Sequence, residues 1–293
     1  MESSHLAEHL SAPPLKTILI DNTGTQLVAD AYPVFLERGI SIVTPSKKAF
    51  AGSSQLWDDI FAAAASSGAI PYIEASVGAG LPLVSTLKDL INTGDEITKI
   101  EGALSGTLSY LFTTFAPADA STGQPWSVAV KKAQDLGFTE PDPRDDLNGL
   151  DVARKLIIFA RLLGLKVESI ASFPVHSLVP KELGTGVTSA EFLDRLSEFD
   201  VRMEEIKKSA EEQGKVVRYV GKIDMSTKTI EVGLETFEKT HPIAVLKGSD
   251  NLVSFYTKRY GRNPLIIQGA GAGGEVTAMG ITNGIIKVAS QIA

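Results

Sequence analysis

Cysteine is absent from this chain, which removes disulfides, thiolate nucleophiles and zinc–thiolate sites together. Histidine is scarce: His5, His9, His176 and His241 are the full set, and their spacing forms no transition-metal constellation. His5 and His9 could share a helix face, but a solvated pair near a chain terminus is the simpler account. No G-x-S-x-G elbow occurs, so nucleophilic hydrolase chemistry has no support. Long apolar runs are also missing. The longest, Leu156 to Leu165, is interrupted by Arg161 and is too short to span a bilayer. The opening residues MESSHLAEHLSAPPLK lack the apolar core of a signal or transit peptide. Positive charge is not in excess: 28 Lys and Arg against 35 Asp and Glu leave a net charge of −7. With no extended basic patch, neither nucleic acid nor an anionic membrane is expected as a partner. A soluble cytoplasmic protein is expected, with 293 residues to fill one large domain or two ordinary ones.

What is present concentrates between Ala133 and Lys155, AQDLGFTEPDPRDDLNGLDVARK. Acidic residues crowd a Gly/Pro-rich turn that runs into an apolar helix. Asp151 and Lys155 lie four apart and so project from one face of that helix. Acid–base work on an alcohol or carbonyl needs a lysine held by neighbouring carboxylates. The same spacing also describes a solvated surface pair worth a few tenths of a kcal/mol. The helix decides between them: Leu150, Val152, Ala153, Leu156, Ile157, Ile158, Phe159 and Ala160 leave almost no polar face, so burial is expected. Ionic groups on a buried helix are costly unless they serve a site.

Along the chain, strands are expected at Thr17–Asp21, Ile40–Val43 and Tyr72–Ala75, with helices from about Val28 to Glu37 and Gln55 to Ala64. Such alternation implies a parallel sheet with crossover helices. Ligands of these sheets gather at the carboxyl ends of the strands, which places Asn22, Thr23, Ser46, Lys47 and Glu74 on one rim. A helix at Leu81–Leu90, a strand at Ile97–Ala103 and the signature helix at Leu147–Leu163 follow. The charged segment Ser189 to Gly214 reads as one solvated amphipathic helix. VVRYVGKID and TIEVGLETF alternate as paired strands around Ser226–Lys228, and NLVSFYTKRY and PLIIQG add further strands.

Gly269, Gly271 and Gly274 match G-x-G-x-x-G. Too little chain follows for the second strand and acidic residue of a dinucleotide-binding unit. These glycines either approach a ligand or permit tight helix–strand packing. The residues before Thr17 contain no Gly-rich turn after a strand, so the phosphate-cradling fingerprint is missing from its expected place.

Ala133, Gly137, Phe138, Thr139, Asp142, Pro143, Asp146, Leu147, Gly149, Asp151 and Lys155 stand at offsets that resemble the signature segment of homoserine dehydrogenases. DNT at Asp21–Thr23, TPSKKAF at Thr44–Phe50, EASVGAGLP at Glu74–Pro82, IEGALSGTLSYLF at Ile100–Phe112 and LIIQGAGAGGEVTAMG at Leu265–Gly280 are similar to family segments in the expected order. The likeness is to the short, fungal-type enzymes and covers nearly the whole chain.

The resemblance implies an α/β fold: a partial, doubly wound, Rossmann-like parallel sheet plus an α+β substrate and dimerisation domain. Its segments would be 1–75 for part of the dinucleotide-binding domain, 76–264 for the catalytic and dimerisation domain, and 265–293 returning to the first. The implied reaction interconverts L-aspartate 4-semialdehyde and L-homoserine with NAD(P), in a homodimer acting on a small amino-acid substrate. Lys155 would donate the proton to the carbonyl oxygen, with Lys47 sharing that work. Glu140, Asp146 and Asp151 would bind the substrate ammonium, and Gly106 and Thr107 would complete the pocket. Asn22, Thr23, Lys47 and Gly273 would lie against the cofactor. Phe138 stands where a tyrosine is also common, so no hydroxyl contact is implied there. Glu74 and the backbone carbonyls of Val77, Ala79 and Leu81 match a monovalent-cation loop; oxygen ligands suit a hard cation such as Na+, though a bare Gly-rich turn fits the same residues. The absent fingerprint predicts impaired cofactor binding. The alternative is a non-enzymatic homologue that retains the substrate and dimerisation domain.

Overall fold

Three short apolar runs, each ending in polar turn residues, build a parallel sheet. In the computed structural model, which describes residues 3–12, 16–119 and 122–292, these are β1 (Ile18–Ile20), β2 (Ser41–Val43) and β3 (Pro71–Tyr72). Their order is β1-β2-β3, with Leu19 opposite Ile42 and Val43 opposite Tyr72. Among the described residues β1 has a strand neighbour on one side, and Ile20 is 44% exposed.

Local chemistry explains where the helices differ from expectation. The single helix expected over Val28–Glu37 is two, Gln26–Asp30 and Tyr32–Glu37, because Pro33 occupies the first turn of the second and supplies no N–H to continue the first. The expected strand Tyr72–Ala75 stops at Tyr72, and Glu74–Ser76 forms a 3₁₀ turn. Glu74 there turns inward, its two carboxylate oxygens accepting the Val84 and Ser85 N–H groups at 2.8 Å each. That caps the helix Leu83–Asn92, satisfying two of its orphan donors. The last helix, Gly274–Ile292, packs Ile281, Ile285 and Val288 with Val43 and Ala75. Its approach is close: a Cβ at Gly284 would lie 2.6 Å from the Tyr72 ring. The glycines that permit helix packing are thus Gly280 and Gly284 inside the helix, whereas Gly274 has open space around it.

The chain divides into two compact units. The first comprises 1–94, 157–172 and 270–293; the second comprises 95–156 and 173–269. The second is built on a five-stranded sheet of β4 (Ile97–Ala103), β5 (Lys215–Asp224), β6 (Thr229–Glu238), β7 (Asp250–Thr257) and β8 (Leu265–Ala270). The order is β6-β5-β4-β7-β8, and β4 pairs antiparallel with both β5 and β7. Gly102 and Gly221 face each other across β4 and β5. At Gly221 the missing side chain leaves room for Val152 and Leu156, which come within about 3 Å of a Cβ placed there, whereas a Cβ at Gly102 would fall 2.6 Å from the Leu252 carbonyl oxygen.

Two further expectations are corrected in this unit. The signature helix begins at Leu150, not Leu147, after a separate turn at Arg144–Leu147. Gly149, with φ of 75°, interrupts it. The segment 189–214 is not one solvated helix but Ser189–Arg195, a 3₁₀ turn at Leu196–Phe199, and Asp200–Glu211. Asp200 accepts the Ser127 N–H and hydroxyl at 2.7 and 2.6 Å, and Phe192, Leu196, Met203 and Ala210 are buried. Among the described residues no helix is long and apolar enough to cross a membrane.

Candidate active site

The signature segment delivers its charge to one place in the second unit. Lys155 is 5% exposed. Its ammonium pairs with Asp151 Oδ2 at 2.8 Å and donates to the Leu104 carbonyl at 2.5 Å, so two of its three N–H donors are used. The i,i+4 pair is therefore no solvated surface bridge: the lysine is buried while Asp151 stays partly exposed.

Three carboxylates gather here, and the other acids of the segment do not all join them. Asp142 is taken by Arg144, which binds it at 2.5 Å and also donates to the Leu183 and Val187 carbonyls. The Arg144 guanidinium holds the Asp142 carboxyl below its usual range. Asp146 has the opposite fate. Its Oδ2 accepts the Glu140 N–H at 2.8 Å, and its Oδ1 lies 2.9 Å from the Thr107 hydroxyl. That hydroxyl has one proton, and the Phe138 carbonyl, 2.6 Å away, competes for it. Burial raises the Asp146 carboxyl above its ordinary value, and the nearby Glu140 and Asp151 charges push the same way. Glu140, Asp146 and Asp151 set three carboxyl groups around the Lys155–Asp151 pair, an acidic cluster that suits a cationic ligand group.

The turn that aims these groups rests on Gly149 and Tyr219. The Tyr219 hydroxyl donates to the His176 carbonyl at 2.6 Å. A Cβ at Gly149 would fall 2.0 Å from that hydroxyl oxygen, so glycine is required for space as well as for its left-handed backbone. Gly106 opens the helix Gly106–Phe115, with Ser105 capping the Leu108 N–H at 3.2 Å. Phe138 lies against the Tyr110 ring, centroids 4.6 Å apart.

In the first unit the strand rim is tied by side chains. Asp21, at the end of β1, is buried and accepts the Tyr32 hydroxyl at 2.5 Å, the Thr23 N–H at 2.8 Å and the Thr23 hydroxyl at 2.7 Å. Thr44, just past β2, donates its hydroxyl to the Asp21 carbonyl at 2.7 Å and accepts the Ser46 N–H at 3.0 Å. Lys47 then occupies the N-cap position of the one-turn helix Lys48–Ala51, its carbonyl accepting the Phe50 and Ala51 N–H groups at 3.0 and 2.7 Å. Arg161 holds the far side of that turn, donating to the Phe50 and Gly52 carbonyls at 2.9 and 2.7 Å. Asn22 and Thr23 remain exposed. Gly273 is exposed at the start of the last helix, with φ of 121°.

Asn22, Thr23, Lys47, Glu74, Val77, Ala79, Leu81 and Gly273 thus belong to the first unit, and Gly106, Thr107, Glu140, Asp146, Asp151 and Lys155 to the second. In the loop after Glu74, Gly78 and Ala79 both have positive φ, 75° and 53°, and the Leu81 carbonyl accepts the Leu83 N–H at 2.8 Å. Sequence reasoning missed Tyr219, Arg161 as a brace, and the Leu104 carbonyl. A backbone carbonyl has no sequence signal; Arg161 signalled itself as a charge inside an apolar run.

Comparison with known proteins agrees with the residue pattern. A family model described as "Homoserine dehydrogenase" matches residues 82–286, and one described as "Homoserine dehydrogenase, NAD binding domain" matches residues 2–74. The chain is 59% identical to a homoserine dehydrogenase of Paracoccidioides brasiliensis, over 98% of this chain and 78% of that protein. It is 50% identical to that of Saccharomyces cerevisiae, over 98% of this chain and 79% of the relative. Its fold is shared with a hyperthermophilic archaeal homoserine dehydrogenase solved in complex with NADPH: TM-score 0.70, 21% identity, covering 99% of this chain and 76% of the other. The match in both segments, which includes the residues of this charged cluster, places this chain in the homoserine dehydrogenase family.

Proposed function

We propose that this protein interconverts L-aspartate 4-semialdehyde and L-homoserine with NAD(P). The observation that carries the reading is the buried Lys155 ammonium, held by Asp151 and the Leu104 carbonyl beside the half-buried Asp146. In the reducing direction Lys155 donates its proton to the carbonyl oxygen as the alcohol forms. Lys47, on the strand rim of the first unit, is the second lysine of the reaction. Glu140, Asp146 and Asp151 bind the substrate ammonium by charge, and Thr107 and Gly106 close the pocket. The nicotinamide, when bound, supplies or takes the hydride. Asn22 and Thr23, exposed beyond β1, and Gly273, at a helix N-terminus, offer the hydrogen-bonding groups and open backbone that such a cofactor needs.

The reading extends to a monovalent cation at Glu74 and the carbonyls of Val77, Ala79 and Leu81. Glu74 is buried and each of its oxygens accepts one N–H, leaving lone pairs for a hard ion. A sodium series that leaves activity and melting temperature flat removes this part. Assembly as a homodimer in the cytoplasm completes the reading, and a chain-mass monomer by light scattering would count against it. The non-enzymatic alternative lacks support, because Glu140, Asp146, Asp151 and Lys155 are all retained in a charged cluster that burdens stability. The deciding experiment follows NADPH absorbance with L-aspartate 4-semialdehyde added. Semialdehyde-dependent loss is expected; its absence at high enzyme and cofactor concentration refutes the proposal.

A further inference from the structure

We infer that Asn251 is a positioning residue for Lys155, acting through the carbonyl of Leu104. This deepens the proposed reaction and rests on Lys155 as its proton donor. Asn251 lies at the start of β7 and is fully buried. Its Nδ2 donates to the Leu104 carbonyl at 3.1 Å, and the same oxygen accepts the Lys155 ammonium at 2.5 Å. One carbonyl with two lone pairs thus joins a strand side chain to the reactive lysine.

The topology explains why a side chain is needed. Ala103 opposite Leu252 is the last registered pair between β4 and β7. Leu104 and Asn251 come next, where the chain leaves the sheet and passes through the N-cap Ser105 into the helix Gly106–Phe115. The Asn251 amide holds the carbonyl there in place of the ladder. Asp151 alone cannot fix the ammonium, since its side chain is 44% exposed. The Leu104 carbonyl, backed by a fully buried amide, is the rigid half of the mount.

Asn251 does not look like a packing residue. Its Oδ1 is buried without a hydrogen-bond partner among the described residues, which costs stability that an apolar side chain of the same shape would not. Flipping the amide would set Oδ1 against the Leu104 oxygen, acceptor facing acceptor, so the orientation follows from the network. A position that keeps an orphaned acceptor at the core is explained by what its donor holds.

The test uses the full chain with Asn251→Leu, similar in shape without the donor, and Asn251→Asp, which donates to the carbonyl only when protonated. Asn251→Leu is expected to keep its melting temperature and a KM for semialdehyde within about twofold, while kcat falls about 10- to 100-fold. The rate at which acetic anhydride acetylates Lys155, read by peptide mass spectrometry, should change severalfold, with other lysines unaffected. Asn251→Asp should recover toward wild-type turnover as pH falls. Unchanged kcat, unchanged pH dependence and unchanged Lys155 acetylation in Asn251→Leu would overturn the inference. If that variant does not fold, the pH dependence of Asn251→Asp decides: a constant ratio to wild type overturns it. If the wild-type chain shows no turnover, the proposed reaction falls, and Lys155 acetylation alone judges Asn251.

Discussion

The turn at Asp21 and the turn at Asp146 are made of similar parts and do different work. Each centres on a carboxylate that accepts a backbone N–H and lies beside a threonine hydroxyl. Asp21 is 2% exposed and also receives the Tyr32 hydroxyl, and its threonine hydroxyl lies closer to it, at 2.7 Å, than to Thr25 Oγ1 at 3.2 Å. Asp146 shares its threonine with the Phe138 carbonyl and faces two other acids. A carboxylate whose lone pairs are filled builds the scaffold. One that keeps acceptor capacity and like-charged neighbours is left for a cation to complete. Buried cations divide the same way: Arg218 donates to the Ala116, Val217 and Ala244 carbonyls at 2.6–2.8 Å, tying a helix end to β5, whereas Lys155 stands among acids.

The sharpest break of this comparison is Lys155→Ala. If the Asp146 region exists for chemistry, turnover should fall by about 10²–10⁴-fold, with folding little affected because Asp151 can be solvated. Steady-state kinetics beside a urea melt separate the two. Retained turnover would remove Lys155 from the proton-donor role. Next in size is Tyr32→Phe on the other side of the comparison. Burial and the Asp21 carboxylate hold the Tyr32 phenol well above its usual range, so it is a permanent donor. Losing a buried hydrogen bond to a charged group should cost about 1.5–3 kcal/mol in a denaturant melt, with kcat per folded molecule nearly unchanged. A kinetic defect without a stability loss would mean that the Asp21 turn is not mere scaffold.

How far the sequence foretold this can be read from those two turns. The pairing of Asp151 with Lys155 followed from helical spacing, and burial of the helix from its apolar residues; both appear in the fold. Strand β4 was legible to the residue, Ile97 to Ala103. What escaped depended on partners distant in the chain. Glu74 as a cap of the helix at Leu83 needs the chain to fold back ten residues. The break at Gly149 is local, but its reason, the Tyr219 hydroxyl, sits seventy residues away. Asp142 and Asp146 look alike in sequence; the distinction between them is that Arg144 reaches one and burial governs the other.

That distinction yields the smallest and most specific prediction, Asp146→Asn. Burial is the largest cause of the raised Asp146 carboxyl, so the folded chain holds this proton to higher pH than the unfolded chain. Between the two pKa values the native state binds more protons, and stability falls as pH rises. The penalty is absent below the ordinary carboxylate value of about 4 and complete above the raised folded value. Asparagine cannot ionise, while its oxygen can still accept the Glu140 N–H. The variant should therefore match wild type in acid and exceed it at pH 7, by less than about 1 kcal/mol because the group is partly solvated. Its KM for the amino-acid substrate should rise, since one charge facing the ammonium is gone. Paired urea melts at pH 4 and pH 7 measure the difference. A gap that is constant with pH, or that favours wild type at neutral pH, would show Asp146 to be as satisfied as Asp21 and dissolve the contrast between the two turns.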